Sequence, residues 1–390
     1  MAELDENFLP YCLPDIGEDE IEEVVDTLRS GWLTAGPKVR RFEESFREYV
    51  GSEQAVAVNS CTAGLHLALA ACGIGEGDEV ITTPLTFAAT INVILHQRAR
   101  PVLADICPDD YNLDPEQVER RITPRTRAIM PVHFGGQPCR MDELLDIARR
   151  HGLRVIEDAA HALGARYRGR PVGSLGDATV FSFYPTKSIT TGEGGMLTTD
   201  DEELARCVRL LSLHGLSHDA WDRYTARGSW QYRVLAPGFN YVMSDIQAAM
   251  GIHQLARLEE FQARRQRFAR EYTRRLADLP GLITPTARDE VVHAWHLYVI
   301  RLEGSQLSVG RDQFIEELRG RGIGTSVHFI PIHYHPYYAQ VLDYRRGDFP
   351  VVETVYEGLV SLPLYPRMQE SDVVRVAHAV RDTVCPRRTG

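Results

Sequence analysis

Lys187 has the setting of a nucleophile. It lies in FSFYPTKSITTGEGG (181–195), between two apolar runs, with Ser182 five residues ahead and glycines at 192, 194 and 195 behind. A lysine held at the end of a buried strand loses solvation, which disfavours its ammonium form and frees a neutral amine. The glycines allow a backbone to approach a ligand closely. Most lysines are simply solvated surface charges, so the neighbourhood must carry the assignment.

Two other segments supply what such a lysine would need. NSCTAG (59–64) stands between a strand-like and a helix-like run. Free N–H groups at a helix N-terminus form an anion site, and Thr62 and Ala63 would face a phosphate there. Plain N-capping by Ser60 or Thr62 is the alternative. Asp158 follows the run LRVIE (153–157). In an open parallel sheet, ligands bind beyond the C-terminal strand ends. Side chains alternate along a strand, so Glu157 should point the other way. Alone, Asp158 would read as a cap or an ion-paired carboxylate. Lysine, carboxylate and anion cradle together fit pyridoxal 5′-phosphate (PLP), which needs a Schiff-base lysine, a phosphate site and an acid to keep its pyridine nitrogen protonated. Phe87 in TPLTFAAT (83–90) is placed to cover the ring, although a core aromatic at a helix start explains it equally well.

The elements that must position these groups are legible as patterns. Apolar, β-rich runs occur at 54–58, 79–83, 101–105, 127–132, 153–157, 178–183 and 194–199, and helical patterns separate the early ones at 63–72, 87–97, 115–121 and 141–151. Such alternation predicts an α/β fold: a large domain with a mostly parallel seven-stranded sheet flanked by helices. The last two runs are joined by the Lys187 loop with no helix, and such loops often carry function. Amphipathic helices are expected at 18–29 and 38–50, joined by the loop SGWLTAGP. A long charged helical stretch covers 245–278. After it come a strand near 295–302, a helix near 311–321, a strand near 324–329 and helices near 349–359 and 370–383. This suggests a large domain over 1–250, including an N-terminal arm, and a smaller C-terminal α+β domain over 251–390.

Composition narrows the function classes. The chain has 390 residues, with 43 Lys and Arg against 54 Asp and Glu, a formal charge of −11. An acidic chain has no long-range attraction for nucleic acid or anionic lipid, and no apolar run approaches the roughly 20 residues of a membrane span. The seven cysteines are scattered without a C-x-x-C pair, which points to a reducing cytoplasm rather than a disulfide framework. The histidines of VHFIPIHYHPYY (327–338) lack a Cys or carboxylate at ligand spacing, so no metal is expected. A Rossmann-type dehydrogenase falls behind because no G-x-G-x-x-G follows the first strand.

In order and spacing, SGWLTAGPKV, NSCTAGLHLAL, TPLTFAAT, PVHFGGQP, VIEDAAHALGA, FSFYPTKSITTGEGGML, APGFNYVMSDIQAAMG, SVHFIPIH and SLPLYPRM resemble the DegT/DnrJ/EryC1/StrS sugar aminotransferases. These are PLP enzymes of the aspartate aminotransferase fold (fold type I), and the likeness runs from about residue 9 to 380. It implies that Lys187 forms the Schiff base and then carries the proton between two carbons. Asp158 would pair with the pyridine nitrogen, and His161 would lie near the ring hydroxyl. Thr62, Ala63 and Ser182 would hold the phosphate and Phe87 would stack on the ring. Asn240 would reach the neighbouring subunit's cofactor, implying a homodimer with shared active sites. His328, Tyr337, Thr34 and His133 are the substrate-contact candidates. Some members are dehydratases with a histidine in place of the lysine, so Lys187 favours transamination. The implied reaction moves an amino group from L-glutamate to a nucleotide-linked keto sugar, a 4-keto-6-deoxy hexose or a 3-keto sugar. A catalytically silent PLP-binding regulator is the competing class.

Overall fold

The computed structural model describes residues 7–217, 232–304, 307 and 309–385. Its main sheet takes the seven expected runs as β1 (Gln54–Val58), β2 (Glu79–Thr82), β3 (Arg100–Leu103), β4 (Thr126–Met130), β5 (Arg154–Asp158), β8 (Ala178–Ser182) and β9 (Gly195–Thr199). Two short strands, β6 (Arg166–Tyr167) and β7 (Arg170–Pro171), form a side hairpin between β5 and β8. The main sheet has the order β1-β9-β8-β5-β4-β2-β3. β2, β3, β4, β5 and β8 pair in parallel, and β9 runs antiparallel to both β1 and β8. β2, β8 and β9 are buried at every position, which requires helices on both faces and explains their continuous apolar character.

One expected loop decides where the chemistry sits. β8 ends at Ser182 and the chain returns as β9 from Gly195, in register with Ser182. A crossover helix is needed only to bring a parallel strand back, so this antiparallel return leaves the Lys187 loop free at the strand ends. The helix Cys61–Ala71 follows β1 and starts at the same edge. A Cβ on Gly195 would lie 2.7 Å from the Cys61 nitrogen. Only glycine lets the helix N-terminus abut β9 so closely.

The C-terminal part carries β10 (Leu282–Ile283), β11 (Val291–Val292), β12 (Tyr298–Leu302) and β13 (Leu359–Leu362). β10, β12 and β13 make an antiparallel three-stranded sheet, while β11 pairs with β6. Two expectations fail here. Residues 324–329 form no strand; Ser326 makes a single bridge to Ser361. The segment runs into Pro331, which cannot donate to a ladder, and leaves the sheet. The sheet takes Leu359–Leu362 instead, beyond a helix that stops at Gly358. A Cβ there would lie 2.1 Å from the Leu302 carbonyl oxygen, so glycine is required where the chain meets β12. The long helical stretch divides at Arg257 into helices Asp245–Ala256 and Leu258–Leu276.

One buried cluster lies on a face of the main sheet and includes Phe42, Phe46, Phe181 and Phe183. Another fills the C-terminal sheet and its helices, with Phe268, Tyr272, Tyr298 and Phe314. Leu9 belongs to the second, because the N-terminal segment crosses to bridge Ile323. This crossing segment carries Tyr11 and Cys12 past the open ends of the strands. Among the described residues, no helix is long and apolar enough to cross a membrane.

Candidate active site

A cavity of about 570 Å³ opens where the strand ends, the Lys187 loop, the crossing segment and the C-terminal part meet. Thr62, Phe87, Asp158, His161, Ser182, Lys187 and His328 all line it. Residues from 62 to 187 converge because each ends or follows a strand of the main sheet at one edge, and His328 reaches them from the C-terminal part.

The carboxylate is held from two sides. Thr90 Oγ1 donates to Asp158 Oδ2 at 2.8 Å, and the Ala160 N–H donates to Oδ1 at 3.2 Å. Thr90 is itself within 2.7 Å of the Thr86 hydroxyl. Burial raises the Asp158 carboxyl above its usual range, while these hydrogen bonds, Lys187 and His133 oppose the rise. A cation at the carboxylate would reverse the shift. Lys187 shows the complementary response: burial lowers its amine, and nearby Cys61, Asp158 and Cys12 only partly restore it. Its Nζ has no hydrogen-bond or ion-pair partner among the described residues. The loop therefore presents an amine with an increased neutral fraction.

At the opposite end, Ser60 caps the helix Cys61–Ala71 by accepting the Ala63 N–H at 3.1 Å. This takes Ala63 out of the expected cradle; it is buried and does not line the cavity. The Cys61 and Thr62 N–H groups, first in the helix, have no protein partner among the described residues. With the Ser182 hydroxyl, which also lines the cavity, they are the groups that could hold an anion. The donor set fits PLP: two helix N–H groups and a hydroxyl at one end, a buried carboxylate and a free amine at the other. The Gly195 contact holds the helix end in place.

The facing wall is made of rings. Phe87 is 64% exposed at the rim, with its centroid 6.2 Å from Phe329. His161 stacks on Phe329 at 5.9 Å and lies 4.4 Å from His296. Nδ1 of both histidines is buried and without a partner. Burial, reinforced by the nearby charges, drives His161 and His296 well below the usual histidine range and His328 down to about 4. The three imidazoles are therefore neutral at ordinary pH. Among the described residues, no arginine lines the cavity.

Four other expected residues lie elsewhere. His133 is fully buried, a correction to its expected place at the substrate. Val132 faces the cavity and bridges Asp158, so strand alternation turns the next residue away, to the side of Glu157. There His133 Nδ1 accepts the Cys139 N–H at 3.1 Å, which leaves the proton on Nε2 for Glu157, 2.8 Å away. Thr34 lines a separate smaller cavity with Gly36, Arg209 and Met243. Asn240 is exposed outside the cavity, its carbonyl accepting from Asn59 Nδ2 at 3.3 Å. Tyr337 is 59% exposed against Tyr338 and does not reach the lining. The histidines of 327–338 diverge: His328 faces the cavity, while His333 pairs with Glu353 at 2.9 Å.

Sequence reasoning missed Thr90, His296 and Tyr11. Thr90 was within reach, four residues after Thr86 in a helix-start segment, a spacing that puts side chains on one face. His296 and Tyr11 carry no local signal; they reach the cavity only through long-range packing.

The comparisons with known proteins agree with this geometry. A profile of the DegT/DnrJ/EryC1/StrS aminotransferase family matches residues 14–381. The chain is 55% identical over 385 residues, 98% of its length and 99% of the relative's, to the Bacillus subtilis spore coat polysaccharide biosynthesis protein SpsC. Among solved structures it is similar to Spr1654 of Streptococcus pneumoniae in its PMP form, at 34% identity and TM-score 0.91, covering 96% of this chain and 99% of that one. The PLP form of that protein matches at the same TM-score, 0.91. It is also similar to DesV of S. venezuelae, at 36% identity and TM-score 0.87, covering 96% of this chain and 98% of that one. The chain thus belongs to the DegT/DnrJ/EryC1/StrS aminotransferase family and is a PLP-dependent sugar aminotransferase.

Proposed function

We propose that this enzyme moves an amino group from L-glutamate to a nucleotide-linked keto sugar, a 4-keto-6-deoxy hexose. The observation that carries this reading is the free amine of Lys187 beside the buried Asp158 carboxylate, in a cavity whose far wall is neutral and aromatic. When bound, PLP supplies an electron sink that makes the carbon bearing the amine acidic. Lys187 then holds and returns the proton at that carbon through Nζ. Asp158 keeps the ring nitrogen protonated, and Thr90 keeps Asp158 aimed. Thr62 and Ser182 bind the phosphate, His161 stands beside the ring, Phe87 covers it, and His328 contacts the sugar. The cavity lies within the roughly 300–1,000 Å³ of small-ligand sites. A nucleotide attached to the sugar would extend past the rim, where Phe87 and Tyr184 are exposed.

We further read the enzyme as a cytoplasmic homodimer whose subunits complete each other's sites. Asn240 lies outside its own cavity and is free to serve a second one. Exposed apolar side chains (Ile21, Leu28 and Leu33; Val234 and Leu235) offer surface for association. All seven cysteines are unpaired, as a reducing compartment requires. We also take the chain as two domains, 1–250 and 251–390, with the cavity between them; their separate hydrophobic clusters support this.

The test is the visible spectrum of the purified, PLP-loaded enzyme. Adding L-glutamate should bleach its band, and a nucleotide-linked 4-keto-6-deoxy hexose should restore it. A band that glutamate leaves unchanged would overturn the donor. A bleached band that no 4-keto sugar restores would overturn the acceptor.

A further inference from the structure

One amide outside the cavity joins the Lys187 loop to the N-terminal segment. Gln254 lies on the helix Asp245–Ala256 and is 2% exposed. Its Oε1 accepts the Thr190 N–H at 3.3 Å. Its Nε2 donates to the Asp15 carbonyl at 2.8 Å and to Glu20 Oε1 at 2.7 Å. The partners fix which way the amide faces. Turned over, it would set its amino group against the Thr190 N–H and its oxygen against a carbonyl and a carboxylate. Among the described residues, the loop from 184 to 190 has two hydrogen bonds to distant parts of the chain. One is Thr190 to Gln254, and the other is Cys12 Sγ to the Thr186 carbonyl at 3.7 Å. These ties flank Lys187, and both lead to the N-terminal segment. That segment is pinned at two places. At Leu9, the N–H and the carbonyl pair with Gly322 and Gly324, each at 2.8 Å. At Asp15, Arg257 Nη2 adds a bond to Oδ1 at 3.0 Å. Tyr11 lies between the two pins and lines the cavity.

We infer that Gln254 is a positioning residue for Lys187 and Tyr11: its one amide sets both the loop that presents the amine and the segment that presents the facing ring. The site needs one acceptor and two donors at a single point, and a carboxamide supplies them in one plane. On the loop side, Thr190 also donates through Oγ1 to the Phe183 carbonyl at 2.9 Å, closing the loop onto the end of β8. A shift of Thr190 would therefore move the turn that carries Lys187, and small displacements of a reacting group are costly in rate. On the other side, without Gln254 the Asp15 carbonyl and Glu20 Oε1 would be left to Arg257 Nη1, whose bonds to them are longer, at 3.4 and 3.3 Å. Gln254 does not line the cavity, so it touches neither cofactor nor substrate and acts only through these two elements. The role at Lys187 concerns cofactor binding; the role at Tyr11 concerns the acceptor sugar and rests on the function proposed above.

Two substitutions separate the two ties. Gln254→Leu removes both. Gln254→Glu keeps an oxygen for the Thr190 N–H but has at most one proton for the two acceptors, where the amide has two. Hydrogen–deuterium exchange of the PLP-loaded enzyme reads the ties directly, in peptides covering 9–17 and 184–195. Exchange should quicken about fivefold in both peptides of Gln254→Leu, the order expected for one lost hydrogen bond. In Gln254→Glu it should quicken in 9–17 alone. If Gln254→Leu does not fold, the difference between the two peptides of Gln254→Glu decides. Unchanged exchange in the folded variants, or equal quickening in every peptide of the protein, would overturn the positioning role. Capture of PLP by the apo-protein should slow about fivefold in Gln254→Leu and stay native in Gln254→Glu; native capture in both would overturn the role at Lys187. In Gln254→Glu the KM for the keto sugar should rise about fivefold, and an unchanged KM would overturn the role at Tyr11. A native enzyme that rejects every keto sugar would instead overturn the acceptor assignment, with exchange and PLP capture still deciding the role of Gln254.

Discussion

The two walls of the cavity are built in opposite ways. The wall carrying Asp158, Ser182 and Lys187 comes from adjacent strand ends of one sheet. Its charged and polar groups are placed by backbone pairing and held by short local bonds such as Thr90 to Asp158. The facing wall comes from four separate stretches around Tyr11, His161, His296 and His328. Its groups are neutral rings, and two of them keep a buried nitrogen without a protein partner. The first wall has charges fixed for a single cofactor. The second has neutral donors and acceptors left open, which is what recognition of a hydroxyl-rich, uncharged sugar needs. The difference suggests that chemistry and selectivity are separable here, and it can be tested by substitution.

The largest effect is expected at Lys187. Lys187→Ala should lower both half-reactions by about 10³-fold or more, because the base for both is removed. The circular dichroism spectrum should stay native, since the side chain makes no bond that holds the fold. Loss of only the keto-sugar half would break the comparison. Asp158→Asn should slow both half-reactions by about 10²-fold, because the ring nitrogen loses its ionic partner. Rapid-mixing absorbance would show it. A selective loss would mean that Asp158 belongs to the substrate wall.

A stability prediction concerns the far side of the same sheet. Glu157 is fully buried and accepts from His133 Nε2, the Gly176 N–H and Thr179 Oγ1. His133→Leu removes one donor and leaves a buried carboxylate short of a partner, at a cost of about 3 kcal/mol. Thermal denaturation should show a lowered Tm, while the ratio of the half-reaction rates stays native.

Smaller effects distinguish the walls by pH. Lys187 is depressed by burial, so its neutral fraction rises at lower pH than for an ordinary lysine. PLP capture by the apo-protein should therefore have its midpoint below roughly 10.4; a midpoint at the ordinary value would remove the burial argument. His328, pushed down to about 4, becomes charged only as pH falls through that value. The keto-sugar half-reaction should then stay flat across pH 6–8, where an ordinary histidine near pH 6.5 would titrate. The smallest effect is expected for Tyr337→Ala, whose exposed ring lies outside the lining. Its KM for the sugar should change less than about twofold, as for most surface substitutions.

Much of the cofactor wall was legible because it follows local rules. Strand periodicity located β5 and β8, and the loop without a helix identified the site of Lys187. A small, hydroxylated strand-to-helix turn marked a helix start whose first N–H groups open on the cavity. The same rules misplaced Ala63, because Ser60 claims its N–H, and His133, because one residue of strand alternation reverses a side chain. They failed in the C-terminal part, where β13 replaced the expected strand at 324–329. That exchange depends on Gly358 meeting β12, a contact between residues far apart in sequence.

By itself the sequence determined the alternating architecture, the Lys187 loop at the strand ends, and the meeting of a lysine with a carboxylate and a helix N-terminus. These follow from backbone periodicity and from turn chemistry, which act over a few residues. Only the tertiary structure decided that Tyr11, His161, His296 and His328 meet at the cavity and that burial lowers the three histidines there. Desolvation and hydrogen-bond direction depend on every neighbour in space, and the chain brings those neighbours together only once it is folded.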